Sequence, residues 1–171
     1  RDAETGRIGT YESPFVIPNL NKEEKRIPIS SVVLSSQRVD MREALFNVSK
    51  EKGQGHLVSP LVQDGRKLVP SVTRVFSRAK DMYVYLQAYQ QNVETIQPLL
   101  AFVTFYRDGA KAFETAPLRV SDGLNNRLKT IPLKFNFALD KLEPGEYTCQ
   151  VTVLDAASRK AAFWQTPVMV I

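Results

Sequence analysis

A chain of 171 residues holds one generous domain, or a small domain together with a fragment of another. Its 43% hydrophobic and 24% charged content is that of a globular protein, which excludes general disorder. No apolar run approaches the roughly 18 residues of a membrane-spanning helix, so no span is expected in this chain. The net charge of +5 is scattered over Lys22, Lys25, Arg26, Lys50, Lys52, Arg66, Lys67, Arg159 and Lys160. No stripe or helical face collects these charges, and nucleic acid is not an expected partner.

In chain order, RDAETGRIGTYESPFVI at the start is an echo of LDAASRKAAFWQTPVMVI at the end. A shift of 153 positions lays Asp2 on Asp155, Ala3 on Ala156, Tyr11 on Trp164 and Pro14 on Pro167. The chain begins at Arg1 and is read as a processed or excised piece of a longer protein. A charged linker, KEEKR, precedes a predicted strand over ISSVVLSSQ (29–37). A long insertion is expected over 38–60, with a helical turn or two in MREALFNV and a flexible tip at GQGH. KLVPSVTRVF (67–76) reads as a strand whose Pro70 places it at an edge or a bulge.

The second half is strand after strand. MYVYLQAY (82–89) alternates, with Met82, Val84, Leu86 and Ala88 expected inward and Tyr83, Tyr85 and Tyr89 outward. LLAFVTFYR (99–107) is apolar on both parities, so the aromatic face is expected to be capped by Leu45, Phe46 and Val48 of the 38–60 insertion, or else to meet a partner. Asp108-Gly109 is a two-residue hairpin turn into AKAFETAPLRV. In TIPLKFNFALD the apolar residues Ile131, Leu133, Phe135, Phe137 and Leu139 share one parity, and in YTCQVTVLD so do Tyr147, Cys149, Val151 and Val153. Spacing of this kind predicts an all-β fold, an antiparallel β-sandwich with a long insertion between its first two strands.

The most specific pattern is LEPGEYTCQVTVLD, where Pro144-Gly145 make a corner and Tyr147 follows two residues before Cys149. This resembles the tyrosine corner at the start of strand F in immunoglobulin-like domains. The lone Cys149 departs from that pattern and would make this a disulfide-free variant. On that resemblance, residues 1–20 look like the terminal strand and linker of a preceding module, and 21–171 like a complete immunoglobulin-like domain. Together with Thr5-Gly6-Arg7, Gly9-Thr10, Ile17-Pro18-Asn19-Leu20 and Val32-Val33-Leu34-Ser35-Ser36, the corner resembles the C-terminal immunoglobulin-like modules of bacterial von Willebrand factor A-related secreted proteins. The resemblance implies a secreted, periplasmic or cell-surface setting. The metal-binding adhesion motif of the A domain itself is absent from the sequence, so that domain's function is not implied.

Catalytic chemistry has little to work with. His56 is the only histidine and Cys149 the only cysteine, so a two-histidine or multi-cysteine metal site within one chain is excluded. Asp64, Asp108 and Asp122 each precede glycine, where turn formation accounts for them. Asp40 and Glu43 are left as a carboxylate pair, the basis for a hydrolase as a distant alternative. Asn47-Val48-Ser49 matches a glycosylation acceptor, a weak signal at three residues. The expected function is a non-enzymatic accessory module in assembly or adhesion, without a cofactor. Its expected partners are neighbouring domains of the same protein, another protein or a glycan. The candidate binding face comprises Tyr83, Tyr85, Tyr89, Phe102 and Tyr106. A carbohydrate-binding module using exposed tyrosines is the alternative, and self-association through the N-terminal strand is a further expectation.

Overall fold

The computed structural model describes residues 25–40, 59–63, 65–90, 97–120 and 130–171. These form an all-β structure of twelve strands with no helix among the described residues. The strands are β1 (Val33–Ser35), β2 (Gln37–Asp40), β3 (Val62–Gln63), β4 (Arg66–Val69), β5 (Val75–Phe76) and β6 (Asp81–Tyr89). They continue with β7 (Leu99–Arg107), β8 (Ala110–Glu114), β9 (Leu118–Val120), β10 (Thr130–Ala138), β11 (Gly145–Asp155) and β12 (Lys160–Val170).

Two main sheets share one core. The first has the order β1-β6-β10, and the second runs β5-β12-β11-β7-β8 with β9 also paired to β7. Alternation decides which side chains meet between them. Leu34, Met82, Val84, Leu86, Ile131, Leu133 and Phe135 come from the first sheet, and Val103, Phe105, Tyr147, Cys149, Val151, Val153, Val168 and Val170 from the second. The inward residues expected on β6, β10 and β11 are all in this core, apart from Phe137, which is half-buried against it. The arrangement is sandwich-like, one apolar face of each main sheet being removed from water.

At one end of the core Phe105 meets three rings, with centroids 6.0 Å from Phe113, 6.0 Å from Phe137 and 6.3 Å from Tyr147. The hairpin joining β7 to β8 turns at Asp108 (φ 51°) and Gly109 (φ 79°). Positive φ at both central positions gives the turn a backbone twist that matches its strands.

The first half departs from a two-sheet, wholly antiparallel sandwich. The expected strand over 29–37 is bent at Ser36: β1 pairs with β6, whereas β2 leaves for a separate small sheet of order β2-β4-β3. Ser35 is the pivot, its buried hydroxyl 2.6 Å from the Val69 carbonyl and accepting from the Gln37 amide at 3.0 Å. The expected strand over 67–76 is likewise divided, ending as β4 at Val69 before Pro70 and resuming as β5 in the second main sheet. Proline cannot donate to a ladder, and here it marks the change of sheet. β5 runs parallel to β12, pairing Val75 with Met169 and Phe76 with Val170. Parallel neighbours need a long connection, and most of the domain lies between these two. The insertion expected over 38–60 therefore begins inside a strand. Its centre, including MREALFNV, Asn47 and His56, lies outside the described residues, as do residues 1–24 with the first copy of the repeat and the start of the linker.

Candidate functional site

The five aromatic candidates do not form one surface. Tyr83, Tyr85 and Tyr89 are on β6 in the first sheet, and Phe102 and Tyr106 on β7 in the second. Their strands turn inner faces toward one another, so the two groups lie on opposite outer faces of the sandwich. Consecutive strands of like pattern suggest neighbours, but the chain passes from one sheet to the other between Tyr89 and Leu99.

On the first outer face, cross-strand rows place Val33, Tyr85 and Lys134 together, and Ser35, Tyr83 and Asn136 together. This face is largely occupied. The Arg38 guanidinium from β2 lies 4.3 Å above the Tyr83 ring, a cation–π contact, and Leu68 of β4 is buried nearby. Arg38, Leu68, Tyr83, Lys134 and Asn136 line a shallow cleft where the small sheet meets the main one. Tyr85 is only 5% exposed. Burial pushes its phenol up from the ordinary value, a hydrogen bond with Gln87 works against that, and Tyr89 adds to it. The Tyr89 hydroxyl also reaches the Gln87 amide oxygen at 3.4 Å. Expected capping by Leu45, Phe46 and Val48 lies outside the described residues; the cover seen here is Arg38 with the small sheet.

On the second outer face, β7, β11 and β12 set four cross-strand rows. They read Leu100–Leu154–Ala161, Phe102–Thr152–Phe163, Thr104–Gln150–Gln165 and Tyr106–Thr148–Pro167. Thr152 is 2% exposed between its two phenylalanine neighbours, while Phe163 itself is 64% exposed. The Gln165 amide donates to the Gln150 amide oxygen at 2.6 Å, and Gln150 donates to the Thr152 hydroxyl at 2.9 Å. Thr104 is fully buried and donates to Glu114 at the flank of the face at 3.0 Å. None of these twelve positions is charged. Phe163, Gln150 and Gln165 are absent from the sequence-derived candidates. The signal was the period-two pattern of AAFWQTPVMVI, which puts Phe163, Gln165 and Pro167 on one parity and Trp164, Val168 and Val170 on the other.

The Pro144–Tyr147 corner joins β10 to β11. Leu139 and Leu142 are buried and the turn is closed by Leu142 N–H to Leu139 C=O at 3.0 Å. Gly145 then enters β11 at φ 146°, a backbone region natural only to glycine. The Tyr147 ring is 4% exposed and its hydroxyl donates to the Glu143 carbonyl at 2.8 Å. Arg107 at the end of β7 lies over this ring at 5.6 Å, with Nη1 3.5 Å from the hydroxyl. Arg78 fastens the same turn, donating to the Asp140 carbonyl at 2.9 Å.

Among the described residues no group of three or more His, Cys, Asp or Glu side chains gathers as a metal site. No helix among them is long and apolar enough to cross a membrane. Asp40 is exposed at the end of β2, and its expected companion Glu43 lies outside the described residues. Asp155, buried at the end of β11, is taken up in structure: Oδ1 accepts from the amides of Ala157 and Ser158 at 3.0 Å each, and Oδ2 from Gln90 at 3.2 Å. Cys149 is buried in the core, and burial pushes its thiol up to about 12. A thiol so placed is a packing residue and not a nucleophile. Scans against protein-family models and curated proteins find no match to this chain.

Proposed function

We propose that this chain is a non-catalytic, immunoglobulin-like module of a secreted or cell-envelope bacterial protein. In this reading it serves assembly or adhesion and makes contact through the outer face of β7, β11 and β12. The observation that carries it is the absence of charge from the twelve positions where four consecutive rows cross β7, β11 and β12, with Arg119, Glu114 and Lys111 left to the rim on β8 and β9, in a chain that is 24% charged. A solvated sheet face ordinarily holds lysine and glutamate, whereas the centre of a protein interface is depleted of charge and enriched in aromatic residues. The immunoglobulin-like assignment draws support from the corner, where the Tyr147 hydroxyl returns to the Glu143 carbonyl. The bacterial setting rests on the family resemblance alone.

A neutral glycan is the second reading, favoured by the Gln150–Gln165 amide pair beside Phe102 and Phe163 rather than by the tyrosines of β6. Amides satisfy sugar hydroxyls while aromatic faces pack on sugar C–H groups. Both readings are tested by backbone NMR shifts on titration with domains flanking the module in its parent protein, and separately with neutral polysaccharides. Shifts should cluster on Phe102, Gln150, Phe163 and Gln165 and vanish in Phe163→Ala, whose melting temperature should stay within a degree or two. Shifts confined to the Tyr83 face would refute the assignment of the surface.

A further inference from the structure

Beyond the row that ends at Pro167, the outer face of the second sheet runs into a groove. The next cross-strand row is Glu146–Met169, with Val75 of β5 beside Met169. The groove measures about 420 Å³, and Val72 and Arg74 from the bend before β5 line it together with Glu146, Pro167 and Met169. Since β12 lies between β5 and β11, Arg74 stands at one border and Glu146 at the other. The bend is braced at three points. Ser71 N–H donates to Leu34 C=O at 2.7 Å, the Ser71 hydroxyl accepts from Arg74 N–H at 3.2 Å, and Arg74 C=O accepts from Met169 N–H at 3.0 Å. Arg74 has a left-handed backbone, φ 56°, which a residue other than glycine keeps only where its surroundings impose it. This frame holds Val72 outward and 92% exposed, where a loop ordinarily carries a polar residue. Among the described residues neither the Arg74 nor the Glu146 side chain makes an ion pair.

We infer that this groove receives the Val72 bend of a second copy of the chain, the two copies packing about a two-fold axis. Val72 then seats on the partner's Pro167 and the partner's Met169, and Arg74 meets the partner's Glu146. The patch carries its own complement, which is what an isologous contact requires. It offers an apolar knob and an apolar hollow, a cation and an anion, so the two-fold makes two Val72 contacts and two ion pairs. A partner of one charge sign would satisfy one border of the groove and face its like at the other. Resting on one bend per copy, the contact belongs to the small, transient class of interface, so the dimer forms at high concentration. It shares only Pro167 with the sheet face proposed above and does not rest on that reading.

Charge reversal gives the test. In sedimentation velocity the parent chain should show a reversible dimer that grows with concentration toward the millimolar range. Arg74→Glu opposes glutamates at both charge contacts and Glu146→Arg opposes arginines, so each variant alone should dimerise at least about tenfold more weakly. Mixed in equal amounts, the two should recover the parent's affinity as a heterodimer, since each copy then supplies the charge that the other lacks. Val72→Asp should be monomeric. All three positions are exposed, so each variant should melt within about 2 °C of the parent. A parent chain that stays monomeric up to millimolar concentration overturns the inference. A mixture no heavier than the separate variants overturns it too, as does a Val72→Asp that dimerises like the parent.

Discussion

Tyr147→Phe removes one oxygen from the corner and leaves the ring in place, so its cost isolates the hydroxyl. That hydroxyl donates to the Glu143 carbonyl at 2.8 Å and lies 3.5 Å from Arg107 Nη1. A neutral hydrogen bond of this kind is worth about 1 kcal/mol net, rising toward 2 where the abandoned acceptor stays dry. Glu143 is exposed and the bond is only part-buried, which holds the expected loss at about 1 kcal/mol. For a chain of this size that corresponds to roughly 2–4 °C in melting temperature. Urea denaturation should show a lower midpoint with an unchanged slope, since the surface exposed on unfolding does not change. Tyr147→Ala also deletes a ring packed edge-on to Phe105 and should cost about 3–5 kcal/mol. A Phe variant within about 0.3 kcal/mol of the parent, well under a net hydrogen bond, would refute the view that the hydroxyl fastens the corner.

Two further outcomes are expected. Burial raises the Cys149 thiol from 9.0 to about 12, so the folded chain keeps a proton that the unfolded chain releases. Its contribution to stability is whole below about pH 9 and falls by about 1.4 kcal/mol per pH unit as pH climbs toward 12. Urea midpoints at about pH 8 and 10 should converge in Cys149→Ala, and equal pH slopes in parent and variant would contradict burial as the cause. Gly109→Ala should cost about 1 kcal/mol from backbone strain alone, since nothing lies within 4 Å of the added methyl. Gly145→Ala should cost more, because φ 146° is harder on a side chain than φ 79° and its Cβ would also stand 3.2 Å from Arg107 Nη2; equal midpoints for the two variants would contradict both grounds.

Legibility in the sequence followed burial. β6, β10 and β11 each bury one face, so alternation marked their inward residues from Met82 to Val153, and Asp108-Gly109 marked the β7–β8 turn. Parity cannot say which sheet a strand joins. β6 and β7 carry similar aromatic patterns yet sit in different sheets, so Tyr83 and Phe102 could not be told apart as members of opposite faces. The division of 29–37 at Ser36 and of 67–76 at Pro70 is tertiary in origin. Ser35 bonds to Val69 across the fold, a partner that local spacing does not reveal. Phe163 was hidden because its strand is apolar on both parities near Trp164.

The parallel pairing of β5 with β12 also bears on when the fold can form during synthesis. Val75 and Phe76 are made more than ninety residues before their partners Met169 and Val170. Hairpins such as β7–β8 close through two residues, whereas this pairing must close a loop of nearly a hundred, and closure entropy grows with length. Until β12 has left the ribosome, β11 lacks one neighbour, Phe76 has no strand to lie beside, and Val168 and Val170 are missing from the core. Cooperative folding therefore waits for β12. A nascent chain stalled before Lys160 would display an incomplete core to chaperones and proteases, however long the pause.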